Sequence, residues 1–198
     1  MASGTRHSSK PRRRSPITRE EGERRLIAAA TTLLQSQPFS SVSVRQLSAV
    51  AEVHQNYIHT WFGSQHGLYV RVLQKTLAEF LDSINDQPPD VIPIDPNSAT
   101  AQFATRLLLW LDLEGCDMST IAPTFDALAA ATGQRLSTAI GLAPETAAKV
   151  SPYVATFFFG MSAFGRQFGT DPAQLHKVGT AWLRQVDSLM QERPAAEH

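Results

Sequence analysis

The stretch VSVRQLSAVAEVHQNYIHTWF, residues 42–62, decides the fold that this sequence predicts. Its apolar side chains recur at three- and four-residue spacing with a break in the middle, as on two short helices joined by a tight turn. The residues that form this apolar surface are Val44, Leu47, Val50, Ala51, Val53, Ile58 and Phe62. The pattern is typical of a helix-turn-helix.

The polar positions of the second of these helices are neutral hydrogen-bonding groups, not the Lys and Glu that usually make a helix soluble. They are His54, Gln55, Asn56, Tyr57, His59 and Thr60. Such a face is suited to reading base edges and phosphates in a DNA major groove. We therefore predict that these six residues contact DNA.

Capping signals define the helices around this motif. Thr18 with Glu21, and Ser43 with Gln46, have the spacing of a capping box, in which each side chain satisfies an exposed backbone donor. Ser43 can also face a phosphate, although capping alone explains it. Pro38 ends the first helix, and we expect Phe39 to fill the core between helices.

Charge is distributed unevenly along a chain whose formal net charge is zero. Residues 1–75 contain 11 Lys and Arg against 4 Asp and Glu, whereas the remainder contains 7 against 14. Residues 1–16 combine Ser, Pro and Arg without apolar periodicity and predict a disordered basic arm that includes Arg12, Arg13 and Arg14. This arm is either a solubilising tail or an extension that follows phosphates or enters a minor groove.

Several classes of protein are disfavoured. The single Cys116 excludes an internal disulfide and a multi-thiolate metal site, and it fits a reducing cytoplasm. The start of the chain has no apolar signal region, and no apolar run approaches the ~18 residues of a membrane span. No nucleophile elbow, glycine-rich phosphate loop or metal-ligand spacing occurs, so we expect that the protein is not an enzyme and needs no cofactor or metal. Because it has a single cysteine and no signal region, we expect it to be cytoplasmic.

The remainder of the chain is predicted to be helical throughout, because no long period-two alternation occurs. Ser64 is expected to cap a long helix that connects two bodies and ends at the proline-rich residues 87–96. Asn97 or Ser98 begins the next helix. Another starts near Ser119, and Gly133 and Gly141 bracket a further short one. Pro152 either kinks a long helix or begins a new one, and the last helix begins at Pro172.

Aromatic and aliphatic residues recur every three to four positions in the two final helices. They form either an intrachain core or a two-fold interface that builds a four-helix bundle from two copies. A DNA-binding function favours the homodimer, because two recognition helices about 34–36 Å apart enter successive major grooves. The predicted dimer-interface residues are Phe158, Met161, Phe164, Phe168, Trp182, Val186 and Leu189.

The order of these features resembles the TetR family of bacterial transcriptional regulators over residues 18–73. That family's pattern has Thr-Val-Arg-x-Ile-Ala, Ala-Gly-Val at the turn, Tyr-x-x-Phe, and Ser-Lys-x-x-Leu. The corresponding segments are SVRQLS (43–48), AEV (51–53), HTWF (59–62) and SQHGL (64–68). Glu52 replaces the turn glycine, His59 a tyrosine that commonly touches a phosphate, and Gln65 a lysine. If Glu52 adopts a left-handed backbone, the strain costs roughly 1–2 kcal/mol.

The resemblance implies an all-α fold with three parts: the arm at 1–16, a three-helix homeodomain-like helix-turn-helix domain at 17–63, and an effector-binding and dimerisation domain at 64–198. It also implies a small, largely apolar effector. Candidate pocket residues are Phe103, Trp110, Met118, Phe125 and Phe157, with Arg106 as a polar anchor; plain core packing is the alternative for each. The full set of predicted DNA contacts is Arg12, Arg13, Arg14, Ser43, Arg45, His54, Gln55, Asn56, Tyr57, His59, Thr60 and Gln65.

Two functions remain open on the sequence. The first is a ligand-responsive repressor that binds a palindromic operator as a homodimer. The second is a small-molecule binding or protein-interaction protein of the same fold that has lost operator recognition, which the departures at Glu52, His59 and Gln65 would explain.

Overall fold

The computed structural model describes residues 17–91, 95–165, 167–169 and 171–191, so the predicted basic arm with Arg12, Arg13 and Arg14 lies outside the described residues. The described residues form eight α-helices and no strand, which confirms the all-α prediction. The helices are α1 (Arg19–Ser36), α2 (Val44–Ala51), α3 (Asn56–Phe62), α4 (Gln65–Asn85), α5 (Ala99–Leu113), α6 (Ala122–Arg135), α7 (Pro144–Phe164) and α8 (Pro172–Gln191). Within the described ranges, no helix combines the length and the apolar character that crossing a membrane requires.

Side-chain caps start the helices where the sequence predicted them. The Thr18 hydroxyl accepts from the Glu21 backbone N–H at 3.3 Å, and Ser43 and Gln46 form the complete reciprocal capping box at the start of α2. Ser64 caps α4 and Ser98 caps α5, each by accepting from a backbone N–H three residues further on. Each cap satisfies a donor that the first helical turn leaves free, which explains why these boundaries are legible in the sequence.

The turn between α2 and α3 contains a left-handed residue. Glu52 has φ 53° and ψ 37°, and it is the only non-glycine residue with positive φ among those described. The Val53 N–H bonds to the Ser48 carbonyl across this turn at 3.2 Å. The turn of the motif therefore has the backbone that glycine usually supplies, and it is built on a glutamate.

A continuous core runs from α1 to α6. It includes Leu26, Leu47, Ile58, Leu73 and Leu107, all fully buried. Phe39 is buried in a 3₁₀ turn, Phe39–Ser41, and meets the rings of Phe103 and Trp110 on α5 at 6.3 and 5.8 Å, which confirms its predicted core position. The core thus crosses the predicted domain boundary at residues 63 and 64, and the division into two domains stays a prediction.

The structure corrects the prediction for Val50. It is exposed, although the sequence placed it on the buried face of α2 with Val44, Leu47 and Ala51. At about 100° per residue, the buried stripe centres between Leu47 and Ala51, so Val50 lies roughly 90° to one side.

The region from 119 to 164 also differs from the prediction. The helix expected near Ser119 begins at Ala122 and passes Gly133 into a π-helical segment, Leu136–Ile140, so the separate short helix is wrong. Gly133 instead lies where α6 meets α7, and an added Cβ would be in ordinary van der Waals contact with the Ala147 carbonyl oxygen at 3.4 Å. Pro152 lies inside a single helix, α7.

Both ends of α4 are tied to other parts of the chain. At its start, the Gln65 amide nitrogen donates to the carbonyl of Val42. At its end, the buried Arg135 guanidinium donates to four backbone carbonyls of residues 84–91. Those carbonyls belong to Pro88 (2.7 Å), Val91 (2.8 Å), Gln87 (3.0 Å) and Ile84. The guanidinium places a cation where the last carbonyls of α4 carry partial negative charge, which stabilises the helix end.

Candidate nucleic-acid interface and apolar cleft

The exposed face of α3 carries the predicted recognition residues. His54, Gln55, Asn56, Tyr57, His59 and Thr60 are all exposed, on α3 or in the two residues before it. Ile58 points the other way and is fully buried. The structure therefore presents this uncharged hydrogen-bonding set to solvent on one short helix.

Internal hydrogen bonds determine which donors and acceptors of these side chains remain free to bind DNA. The His54 Nδ1 accepts from the Asn56 backbone N–H at 3.3 Å, so the neutral ring carries its proton on the outward Nε2. The Thr60 hydroxyl donates to the Asn56 carbonyl at 3.0 Å and keeps only acceptor capacity. Donors for a base edge or phosphate therefore come from His54, Gln55, Asn56, Tyr57 and His59, whereas Thr60 can accept from a base amino group.

Ser43 and Gln65, both predicted to contact DNA, have no free side-chain donor in this structure. The Ser43 hydroxyl donates to Gln46 Oε1 at 2.9 Å within the capping box. The Gln65 amide nitrogen donates to the Val42 carbonyl and to the Tyr69 hydroxyl. Because phosphates only accept hydrogen bonds, a phosphate contact from either side chain would have to replace one of these bonds, and both contacts stay predictions.

The hydroxyl that receives the Gln65 bond belongs to a buried tyrosine. Burial raises the pKa of Tyr69, and the bond from Gln65 opposes that rise. Tyr69 therefore stays neutral, and Gln65 serves to join the start of α4 to the segment before α2.

The helix-turn-helix unit is electrically neutral by itself. Residues 17–63 contain four Arg and four Glu. Arg19 pairs with Glu23, whereas Arg24 and Arg25 both pair with Glu21 and lower the pKa of that carboxyl through their hydrogen bonds. Arg45, exposed on α2, is the only cation of residues 17–63 outside these ion pairs. The positive excess of the amino-terminal part thus lies mainly in residues 1–16, with Arg71 and Lys75 of α4.

The predicted pocket residues are divided between the main core and a separate space between α7 and α8. Phe103 and Trp110 pack against Phe39, and the Arg106 guanidinium lies 5.6 Å from the centre of the Phe39 ring. Met118 and Phe125 are half-buried against the main core, where Phe125 meets Phe159 at 6.0 Å. Five of the six therefore pack within or against the core, which was the alternative that the sequence left open.

Phe157 and Phe158 show why the prediction for α7 is wrong in part. Consecutive helical residues point about 100° apart. Phe158 is 7% exposed and stacks on Phe80 of α4 at 5.5 Å, so it belongs to the intrachain core and not to a dimer interface. Phe157 is 56% exposed and faces the space between α7 and α8.

That space is an apolar cleft of about 480 Å³ between the π-helical segment, α7 and α8. Its apolar side chains are Leu136, Ile140, Tyr153, Val154, Phe157, Phe158, Met161, Val178, Trp182 and Leu183. Polar groups enter through His176 and Thr180. The volume falls within the range of small-molecule pockets, and the aromatic walls suit a largely apolar guest.

The remaining predicted interface residues lie on α7, on α8 and in the segment between them. Phe164, Phe168, Trp182 and Leu189 are more than half exposed, whereas Met161 and Val186 are half-buried. Large exposed apolar surfaces on a globular protein mark binding sites for other proteins or ligands.

A second groove, of about 590 Å³, lies between α1, the α3–α4 turn and the loop after α5. Its lining is mixed and includes Arg19, Trp61, His66 and Cys116. Burial raises the pKa of the Cys116 thiol, and the nearby Glu114 adds to the rise, so the thiol stays protonated at neutral pH. Within residues 17–91 and the later described ranges, no cluster of His, Cys, Asp or Glu has the composition of a metal site.

Two solved structures share this fold. The TetR family repressor AlkX from Dietzia sp. strain DQ12-45-1b, implicated in biodegradation of n-alkanes, superposes with a TM-score of 0.50 and 16% identity, over 86% of this chain and 95% of that one. The multidrug binding protein EbrR, solved in complex with imidazole, gives a TM-score of 0.53 and 17% identity, over 88% and 96%. No family model and no curated protein matches the sequence. The chain therefore has the fold of a TetR family repressor, as its motifs predicted.

Proposed function

We propose that this chain is a ligand-responsive transcriptional repressor that binds a palindromic DNA operator as a homodimer. The observation that carries the proposal is the exposed, uncharged hydrogen-bonding face of α3, at the recognition-helix position of a fold shared with a TetR family repressor. A face that only had to be soluble would be expected to carry Lys and Glu, whereas amide and hydroxyl groups can pair with the donors and acceptors that base edges present. The proposal places the protein in the cytoplasm.

Within this proposal, specificity and electrostatic attraction come from different parts of the chain. The helix-turn-helix at 17–63 reads bases through His54, Gln55, Asn56, Tyr57, His59 and Thr60, and contributes Arg45 as its unpaired cation. The arm at 1–16, with Arg12, Arg13 and Arg14, supplies most of the phosphate contacts. This division follows from the zero net charge of residues 17–63.

Binding to the DNA upstream of its own gene, measured by fluorescence anisotropy over a salt series, tests the proposal. The intact protein should bind with a slope of log affinity against log salt that becomes shallower when residues 1–14 are deleted. Five cations lie in that segment, so the loss is at most about 4–5 slope units per protomer at ~0.9 unit per phosphate contact. Absence of binding at low salt would refute the repressor function. A salt slope that is the same with and without residues 1–14 would indicate that the arm is only a solubilising tail.

Alanine substitution of Tyr57 separates the repressor from the alternative, a small-molecule binding protein that has lost operator recognition. A repressor should lose affinity for the upstream DNA, whereas a pure ligand-binding protein should give the same weak, nonspecific binding before and after the change. Leu113→Ala is the control, because Leu113 is a highly exposed apolar residue at the end of α5, outside α3, the proposed cleft and the predicted dimer interface.

We also propose that the region 64–198 binds a small, largely apolar effector in the cleft between α7 and α8. Titration with the neutral aromatic fluorophore 1-aminoanthracene tests this. Phe157→Ser should weaken binding, whereas Phe164→Ser, which changes a phenylalanine of similar exposure outside the cleft, should leave it unchanged. Equal affinities for the two variants would contradict the site.

The homodimer is proposed from the exposed apolar residues Phe164, Phe168, Trp182 and Leu189. Their exposure on α7, α8 and the segment between them supports a partner surface, and a second copy of the chain would bring two α3 helices to successive major grooves. Light scattering at micromolar concentration should give twice the 21.7 kDa chain mass, and Trp182→Glu should shift the protein towards the monomer. A wild-type mass of one chain would refute this.

A further inference from the structure

Trp61, near the end of α3, lies directly against the backbone of α1 at Gly22. A Cβ atom built on Gly22 would come within 2.5 Å of Cζ3 of the Trp61 ring and closer still to Cη2. Gly22 is buried, and an ordinary van der Waals contact for such an atom begins near 3.4 Å. The ring can therefore occupy this place only because residue 22 has no side chain.

The same indole supports the recognition face. Tyr57 stacks on Trp61 with ring centres 4.3 Å apart and an angle of 8° between the planes. His54 meets Tyr57 edge to face at 6.4 Å. Residues 54, 57 and 61 follow each other at three- and four-residue spacing, so their rings form a ladder along one side of α3 that ends on Gly22.

Tyr57 is ordered by its stack on Trp61, and part of its side chain remains exposed for binding. It is 39% exposed although one face of its ring is covered by Trp61. A side chain that is already ordered before binding loses less rotamer entropy when it meets a ligand. The stack also fixes the direction in which the phenolic hydroxyl leaves α3.

We propose that Gly22 is a positioning residue for DNA recognition: it admits Trp61 against α1, and Trp61 in turn holds Tyr57 in the orientation that meets the operator. This inference rests on the proposed function, and it assigns a DNA-binding role to a buried glycine that cannot itself touch DNA. Pre-ordering one side chain is worth roughly 2- to 10-fold in affinity per protomer.

Gly22→Ala tests the proposal with Gly160→Ala as the matched control. Both substitutions put alanine into a helix, where it has the higher propensity. At Gly160, on the exposed side of α7, an added Cβ has nothing within 4 Å, whereas at Gly22 it displaces Trp61. With two recognition helices per dimer, affinity for the DNA upstream of the gene should fall about 4- to 100-fold in Gly22→Ala, and it should stay within twofold in Gly160→Ala. The salt slope should not change in either, because no phosphate contact is lost.

A double-mutant cycle with Tyr57→Ala distinguishes positioning from general damage. If Gly22 acts through Tyr57, then Gly22→Ala should cost little further affinity once Tyr57 is alanine. Full additivity of the two losses would overturn the proposal. Should Gly22→Ala fail to fold, Trp61→Leu removes the stack without adding a clash and should produce the same loss; affinity within twofold of wild type would overturn it equally.

The outcomes separate this inference from the function on which it rests. If the wild type does not bind the upstream DNA at low salt, the repressor function fails. If the wild type binds and Gly22→Ala binds equally well, the repressor function stands and the positioning role of Gly22 is refuted.

Discussion

Replacing Glu52 by glycine should stabilise the protein. Glu52 is held at φ 53° and ψ 37°, where a residue with a side chain costs roughly 1–2 kcal/mol relative to right-handed backbone. Glycine removes that strain, but its greater backbone freedom in the unfolded chain lowers the stability by about 0.5–1 kcal/mol. Glu52 also follows the last residue of α2, and a carboxylate at the negative end of a helix costs about 0.3–1 kcal/mol more. The expected gain in the free energy of unfolding is therefore about 1 kcal/mol.

Urea denaturation of wild type, Glu52→Gly and Glu52→Ala at equal protein concentration measures the two contributions. Glu52→Ala removes the charge and keeps the left-handed side chain, so it should gain only about 0.5 kcal/mol. The melting temperature should rise by about 2–4 °C in the glycine variant, as expected for a chain of this length. If Glu52→Gly were no more stable than Glu52→Ala, the inference of backbone strain at this turn would be wrong.

Three further predictions concern stability. Arg135→Met should lower the free energy of unfolding by about 2–4 kcal/mol, because four carbonyls lose a charged donor; Arg184→Met on the exposed side of α8 is the control and should stay within about 0.5 kcal/mol. Gly67→Ala should destabilise the α3–α4 turn in urea, because its Cβ would collide with the Phe62 carbonyl oxygen and lie 3.1 Å from the carbonyl carbon; stability equal to wild type would contradict that packing. Glu21→Gln should weaken the acid dependence of unfolding: the folded pKa is lowered from 4.5, so its stabilisation is present above that value and lost as pH falls through the depressed pKa. Identical pH profiles for Glu21→Gln and wild type would exclude a contribution from the Arg24 and Arg25 pairs.

The features that could be predicted from sequence are those whose partners lie within a few residues. The N-cap bond at Thr18 and the capping box at Ser43 join residues three apart, and the exposed face of α3 follows from helical periodicity. The spacing of residues in the helix-turn-helix is also a local feature, so its fold could be predicted from the sequence despite the departures at Glu52, His59 and Gln65.

Features that depend on distant partners were missed. Arg135 bonds to carbonyls 44 to 51 residues earlier, and nothing in its neighbourhood indicates this. Gly133 looks like a helix break in sequence, but it lies inside α6 where that helix meets α7. The cleft between α7 and α8 depends on how two helices diverge, which periodicity does not describe.

Adjacent aromatic residues show the same limit on a smaller scale. The sequence assigned Phe157 to a pocket with Phe103 and Trp110, and Phe158 to a dimer interface. In the structure both residues line the cleft, but Phe158 is buried against Phe80 whereas Phe157 is exposed. Helical spacing shows that two residues point apart, but only the packed neighbours decide which direction is inward.

The contact between Arg135 and the end of α4 determines which positions of this region can change in evolution. Its guanidinium recognises main-chain oxygens and no side chain of the segment it binds. Codons 87 to 91 can therefore drift without breaking the contact, provided that the backbone keeps its path. A deep mutational scan should find that this segment tolerates substitution and that residue 135 does not. Selection would then conserve the arginine of this contact, while the side chains of the segment that it binds remain free to vary.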